Sequence, residues 1–232
     1  MPHIDPALSM LFWSAATIGF YLIAKRVYRA WPRWWLSPLA VAPALLIIAA
    51  LSLHATYASY ISGTHWLIAL LGPATVAFAI PIYQQRVLIR RHWPELAIGM
   101  VAGSGTAMFS AWLLASALGL DGSLRLSLLP RSMSTPFAMV VSGDIGGVPN
   151  LTAVFVILTG VMGAALGELL LSRLPLRSSL ARGALLGMGA QGAGTAKAHE
   201  IGHEEGSIAG LVMVLVGLCN VFAAPLLAYF LR

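Results

Sequence analysis

Six long apolar runs constrain this chain more than any other feature of its sequence. They cover residues 7–24, 36–53, 66–83, 95–120, 151–171 and 207–231. A helix needs about 20 apolar residues to cross the roughly 30 Å hydrocarbon core of a bilayer, so each run is long enough for a membrane span. With 14 basic and 8 acidic side chains among 232 residues, the chain could not cover the surface of a soluble globule. The sequence therefore predicts an all-α, polytopic protein whose solvent is the lipid bilayer.

Charge and cysteine content exclude other classes. The chain has one cysteine, Cys219, within an apolar run, which excludes a disulfide-stapled secreted domain. A net charge of +6 could indicate nucleic acid binding, but in a membrane protein cytoplasmic loop charge explains it better. We expect no nucleic acid partner.

The basic residues predict an orientation. They cluster in three connections: Lys25, Arg26, Arg29 and Arg33; Arg86, Arg90 and Arg91; Arg173, Arg177 and Arg182. Short loops rich in Lys and Arg stay in the cytoplasm, which places the N-terminus outside. Residues 126–141 must then enter and leave the membrane from the outer side, as a re-entrant segment. Residues 180–198 are predicted to cross outward, with residues 199–205 as an acidic outer loop. The total is about seven spans plus one re-entrant segment.

The order of continuous and interrupted segments suggests an inverted repeat. We predict a first span and basic loop over residues 1–35, followed by one membrane domain over 36–232. Within that domain, 36–120 would form the first repeat, 121–150 the re-entrant segment and 151–232 the second repeat.

Three apolar segments contain Pro, Gly, Ser and Thr, over residues 71–81, 129–136 and 187–197. Irregular backbone at membrane depth persists only where it is buried in protein or lines a wet cavity. Broken helices expose free N–H groups that can hold an anion. Tight packing of small residues explains the uncharged segment 71–81 equally well.

The other two segments each contain a cation, Arg131 and Lys197, and a charge at depth usually faces a partner or a pathway. The predicted substrate-binding residues are Arg131, Ser132, Ser134, Thr135, Gln191, Gly194, Thr195 and Lys197. Snorkelling of Lys197 to the headgroups is the alternative for that residue. Asp144 and Glu200 are candidate counter-charges or proton carriers.

Residues 199–203 match H-E-x-x-H, a motif in which two histidines on one helix face bind zinc. Gly202 and Gly206 weaken the helix that the motif needs, and Ala209 stands where a third histidine could follow. We therefore favour a solvated acidic loop, with a membrane zinc metalloprotease as a remote alternative. No metal, cofactor or enzymatic activity is predicted.

Several blocks resemble the LrgB/CidB family from about residue 36 to the C-terminus. These are residues 71–77 (LGPATVA), 129–139 (LPRSMSTPFAM), 145–149 (IGGVP), 151–160 (LTAVFVILTG), 181–183 (ARG), 194–198 (GTAKA) and 204–206 (EEG). The family usually has Lys where Arg131 stands, often Glu where Val140 stands, and usually Ser-His where Ala190 and Gln191 stand.

The resemblance implies an inner (plasma) membrane protein that acts with a small LrgA/CidA-type partner, and we also expect a homo-oligomer. The family includes plastid glycolate/glycerate translocators and bacterial pyruvate uptake systems, and was first described as holin- and antiholin-like modulators of murein hydrolase export and autolysis. We predict a transporter of small monocarboxylates such as pyruvate, glycolate or glycerate, with the antiholin-like role as the alternative.

Overall fold

The computed structural model describes residues 6–31, 33–77 and 79–231, and helices make up nearly all of them. No strand occurs in these ranges, so the predicted all-α class is confirmed. The α-helices are α1 Pro6–Ala30, α2 Pro38–Ser52, α3 Tyr57–Ala69, α4 Leu71–Ala77, α5 Ala79–Gln84, α6 Arg86–Arg91, α7 Trp93–Ala117, α8 Gly122–Leu128, α9 Thr135–Asp144, α10 Pro149–Arg173, α11 Ser179–Ile201 and α12 His203–Leu231. Two short 3₁₀ helices, Trp34–Leu36 and Leu129–Ser132, lie between them.

Five helical stretches in the described ranges are long and apolar enough to cross a membrane. They are Ala7–Ala30, Tyr57–Gln84, Trp93–Ala117, Pro149–Arg173 and His203–Tyr229. The helix Pro38–Ser52 is apolar but shorter. Length and composition thus agree with a transmembrane protein.

The chain forms two compact units, Met1–Val76 and Ala77–Arg232. In the first unit α1 packs against α2 and α3. Trp66 Nε1 donates to Ser14 Oγ (2.8 Å), and Ser14 Oγ donates to the Gly63 carbonyl (3.1 Å). A side chain at Gly63 would meet Trp13, so glycine permits this close helix contact.

In the second unit, α8, the 3₁₀ turn Leu129–Ser132 and α9 form a helical hairpin, here called the first hairpin. Its base is bonded to the start of α10. Ser127 Oγ accepts from the Val148 amide (2.7 Å), and Thr152 Oγ1 donates to the Ser127 carbonyl (2.9 Å) and lies 2.7 Å from Ser142 Oγ. The three hydroxyl residues are fully buried. Residues 126–141, predicted to be a re-entrant segment, thus fold back on themselves in the structure, and their entry into the membrane from the outer side stays a prediction.

Helix α11 also folds back, forming the second hairpin. The break lies at Gln191, which has φ 50° and ψ −123°. In a straight helix, residues 186 and 194 would lie about 12 Å apart. Here they are in contact, since a side chain at Gly194 would overlap the Leu186 carbonyl. The two legs, residues 179–190 and 192–201, therefore run in opposite directions.

The fold-back corrects the predicted outward crossing of residues 180–198. Lys197 Nζ lies 3.1 Å from Glu168 Oε1, near the end of α10, and Arg182 lines the same cleft as Lys197 and Glu200. Residues 199–205 therefore begin at the same end of the unit as the Arg173–Arg182 cluster, and are not an outer loop opposite to it. The prediction failed because the turn uses a glutamine in a conformation that residue identity alone does not indicate.

Candidate functional site

The tip of the first hairpin is an irregular turn built by two prolines. Pro130 lies within the 3₁₀ turn, Met133 is extended (φ −112°, ψ 164°), and Pro136 occupies the first turn of α9. Pro has no backbone N–H and suits the first turn of a helix, where that group would have no helical partner. The sequence therefore stops one helix and starts another within a few residues.

Two side chains on this turn have polar groups without partners. Ser134, the N-cap of α9, is 7% exposed, and its buried Oγ has no hydrogen-bond partner among the described residues. Arg131 is partly buried, and its guanidinium makes no hydrogen bond or ion pair within the part of the chain that the structure describes. An unpaired cation at membrane depth costs at least about 2.5–3.5 kcal/mol on insertion scales. The turn therefore has an unsatisfied positive charge and an unsatisfied hydroxyl within four residues.

The tip of the second hairpin meets this turn. The Gln191 amide Nε2 donates to the carbonyl oxygen of Arg131 (3.1 Å), and Gln191 is 3% exposed. The Gln191 carbonyl accepts from Thr195 Oγ1 (2.9 Å). The structure thus brings two of the predicted groups together, one from each hairpin.

Small residues allow the second hairpin to lie close to α10. A side chain at Gly163 would overlap the Gly189 carbonyl, and Gly160 packs against Ala190. Gly160 is near the middle of α10, so the tips meet at about the middle of that helix. The first hairpin is bonded to the start of α10 and the second contacts its end, so the two enter from opposite ends.

Lys197 does not lie with Arg131. It is at the base of the second hairpin, where Nζ contacts Glu168 Oε1 (3.1 Å) and Glu200 Oε2 (2.9 Å). Asp144 is also remote from the tips, exposed at the C-terminal end of α9. The predicted residues therefore divide into a group at the tips (Arg131, Ser132, Ser134, Thr135, Gln191, Gly194 and Thr195) and charges at the bases (Asp144, Lys197 and Glu200).

The H-E-x-x-H run is divided between two helices. Glu200 lies on α11, Gly202 separates the helices, and His203 begins α12. Glu200 is paired with Lys197 rather than standing free between the histidines. In residues 6–31, 33–77 and 79–231 no group of three or more His, Cys, Asp or Glu side chains is placed to hold a metal ion.

Sequence reasoning missed one buried polar link between α7 and α12. Asn220 is 5% exposed, and its Nδ2 donates to Ser104 Oγ of α7 (2.9 Å) and to the Val216 carbonyl (2.8 Å). A single amide within the apolar run 207–231 is the signal that could have found it, because polar side chains in spans commonly bond across helices. Asn220 ties α12 to α7 beside the two hairpins.

These features define a helical membrane protein in which two hairpins, opposed along α10, bring together a strained glutamine and an arginine that has no partner among the described residues. The chain belongs to the LrgB-like family, whose model matches residues 17–230.

Relatives in Bacillus agree with this assignment. The chain is 42% identical over 215 residues to the protein named YwbG of Bacillus subtilis, covering 93% of this chain and 96% of the relative. It is 34% identical to the antiholin-like protein LrgB of Bacillus subtilis over 73% of this chain and 74% of that one. It is 32% identical to the antiholin-like protein LrgB of Bacillus mycoides, over 99% of this chain and 97% of that one. No solved structure matches the chain significantly.

Proposed function

We propose that this protein carries small monocarboxylates, such as pyruvate, glycolate or glycerate, across the membrane. Arg131 would bind the carboxylate, because a guanidinium offers a planar fork of donors that fits it. Ser132, Ser134 and Thr135 would add donors from the same turn, and Gly194 and Thr195 would line the opposite side.

One observation carries the proposal: the turn at the tip of the first hairpin has a cation, Arg131, and a buried hydroxyl, Ser134, that bind nothing in the described chain. Buried polar groups are normally satisfied, so an exception needs an explanation, and a bound carboxylate would provide one here. Opposed broken elements meeting at mid-depth are typical of carriers with inverted repeats, which supports the proposal by analogy. Asp144, Lys197 and Glu200 would influence transport from the hairpin bases instead of contacting the substrate.

We place the protein in the bacterial inner membrane as a multi-pass protein and homo-oligomer that acts with a small LrgA/CidA-type partner. With the Arg173–Arg182 cluster inside, α10 runs inward, the first hairpin enters from the outside and the second from the cytoplasm.

The test is uptake of labelled pyruvate, glycolate and glycerate into proteoliposomes containing this protein and its partner. Arg131→Ala should lower uptake ten- to a hundredfold, because a hydrogen bond to a charged group contributes about 1.5–3 kcal/mol. Arg173→Ala, which removes an exposed arginine at the end of α10, is the matched control and should transport normally. Unchanged uptake in Arg131→Ala would refute the assigned site.

The antiholin-like role is the second candidate, favoured by the names of two relatives. It predicts that expression changes lysis and hydrolase release while carboxylate flux stays at background. Measuring both in cells with the wild-type protein and Arg131→Ala separates the two functions, since only transport should require the arginine.

A further inference from the structure

Gln191 has a strained backbone, and the proposed function gives this residue no role. Only His54 and Gln191 among the described non-glycine residues have positive φ, both at 50°. Such conformations are unfavourable for a residue with a Cβ and persist where the surroundings over-determine them. Gly189, Gly192 and Gly194 lie close by in the sequence, yet the strained position itself is a glutamine. The glutamine side chain therefore has a role at this position that glycine could not fill.

The contacts of Gln191 indicate what that is. Its side-chain amide is buried and donates a hydrogen bond to the Arg131 carbonyl. This carbonyl lies at the end of the 3₁₀ turn, where backbone carbonyls have no hydrogen-bond partner within the helix. This bond fixes the peptide that follows Arg131, and so the backbone from which the guanidinium projects. The Gln191 carbonyl is bonded to Thr195, so the tip of the second hairpin is itself held in place.

We infer that Gln191 is a positioning residue: it holds the Arg131 turn in the binding geometry through its amide and does not itself bind the substrate. The inference rests on the proposed carboxylate site and adds to it the element that preorganises that site. The side chain must donate a hydrogen bond, since its partner is a carbonyl oxygen. An isosteric carboxylate cannot replace it.

Three variants distinguish the effect of losing the Gln191–Arg131 hydrogen bond from the effect of the strained backbone. Gln191→Ala loses the bond and keeps the strained backbone, whereas Gln191→Gly loses the bond and relieves the strain. The glycine variant should therefore melt a few degrees higher than the alanine variant, yet both should need about five- to tenfold more carboxylate for half-maximal uptake. The Gln191→Glu variant should lose at least as much affinity for the carboxylate. If affinity instead followed stability, so that the glycine variant bound like wild type, the positioning role would be refuted.

Hydrogen–deuterium exchange of residues 129–135 tests the inference without any substrate. All three variants should exchange faster there than wild type. His54→Gly and His54→Ala are the matched controls, because they make the same backbone change at an exposed residue in the first unit and should leave residues 129–135 unaltered. Unchanged exchange in the Gln191 variants overturns the inference. Absence of carboxylate flux in the wild-type protein overturns the proposed function, whatever the exchange data show.

Discussion

Ser134 tests whether the tip of the first hairpin is built for a ligand or for stability. Its buried hydroxyl has no partner among the described residues, and an unsatisfied buried donor costs about 1–3 kcal/mol. Ser134→Ala should therefore leave the free energy of unfolding unchanged or raise it, while carboxylate affinity falls severalfold. Thermal unfolding in detergent and uptake in proteoliposomes measure the two effects.

Ser142→Ala provides the contrast within the same hairpin. Ser142 is fully buried and lies 2.7 Å from Thr152 Oγ1, so its loss should lower the free energy of unfolding by about 1 kcal/mol. If Ser134→Ala were equally destabilising and transported normally, its hydroxyl would be structural and the anion site would need another donor.

At the residue scale, the sequence allowed the irregular turn around Arg131 to be predicted, because Pro130 and Pro136 interrupt the helix on either side of a cation. The same reasoning grouped Lys197 with Arg131, and the structure separates them. Lys197 lies six residues beyond the fold-back at Gln191 and is held by Glu168 from another helix. Neither a positive φ at a glutamine nor a contact between helices is visible in residue order.

At the scale of elements, the two hairpins are held by different means. The first is bonded to α10 through buried hydroxyls, whereas the second approaches α10 through glycines. A hydroxyl network has a defined geometry, while backbone contact depends only on the absence of side chains. Segments 129–136 and 187–197 could be predicted as interrupted, but only packing decides whether an interrupted segment crosses or returns.

Gly163→Ala tests the glycine contact. Its Cβ would overlap the Gly189 carbonyl, so the second hairpin must shift, and overpacking of this kind costs about 1–3 kcal/mol. Gly99→Ala on α7 is the matched control, since no atom lies within 4 Å of its Cβ. The control should be neutral or stabilising, because Gly within a helix is about 0.5–1 kcal/mol less favourable than Ala. Equal melting temperatures for the two variants would contradict the close approach.

At the scale of the molecule, the fold-back of α11 changes the expected sidedness of the second unit. In a Cys219→Ala background, Arg177→Cys and His203→Cys should react with an impermeant maleimide from the same face of the membrane, because both lie near the base of the second hairpin. Asp144→Cys, at the base of the first hairpin, should react from the opposite face. Labelling of vesicles in both orientations measures this. If residues 177 and 203 reacted from opposite faces, the predicted outward crossing of residues 180–198 would be correct after all.

Helix α10 contacts both hairpins, one at each end, and the tips meet near its middle. A tilt of this helix about its midpoint would move the two bases in opposite directions while leaving the tips together. In the proposed transporter, the compartment facing one base would then gain access to Arg131 as the other lost it. One 25-residue helix would then be enough to couple the two entrances mechanically, without a separate gate for each.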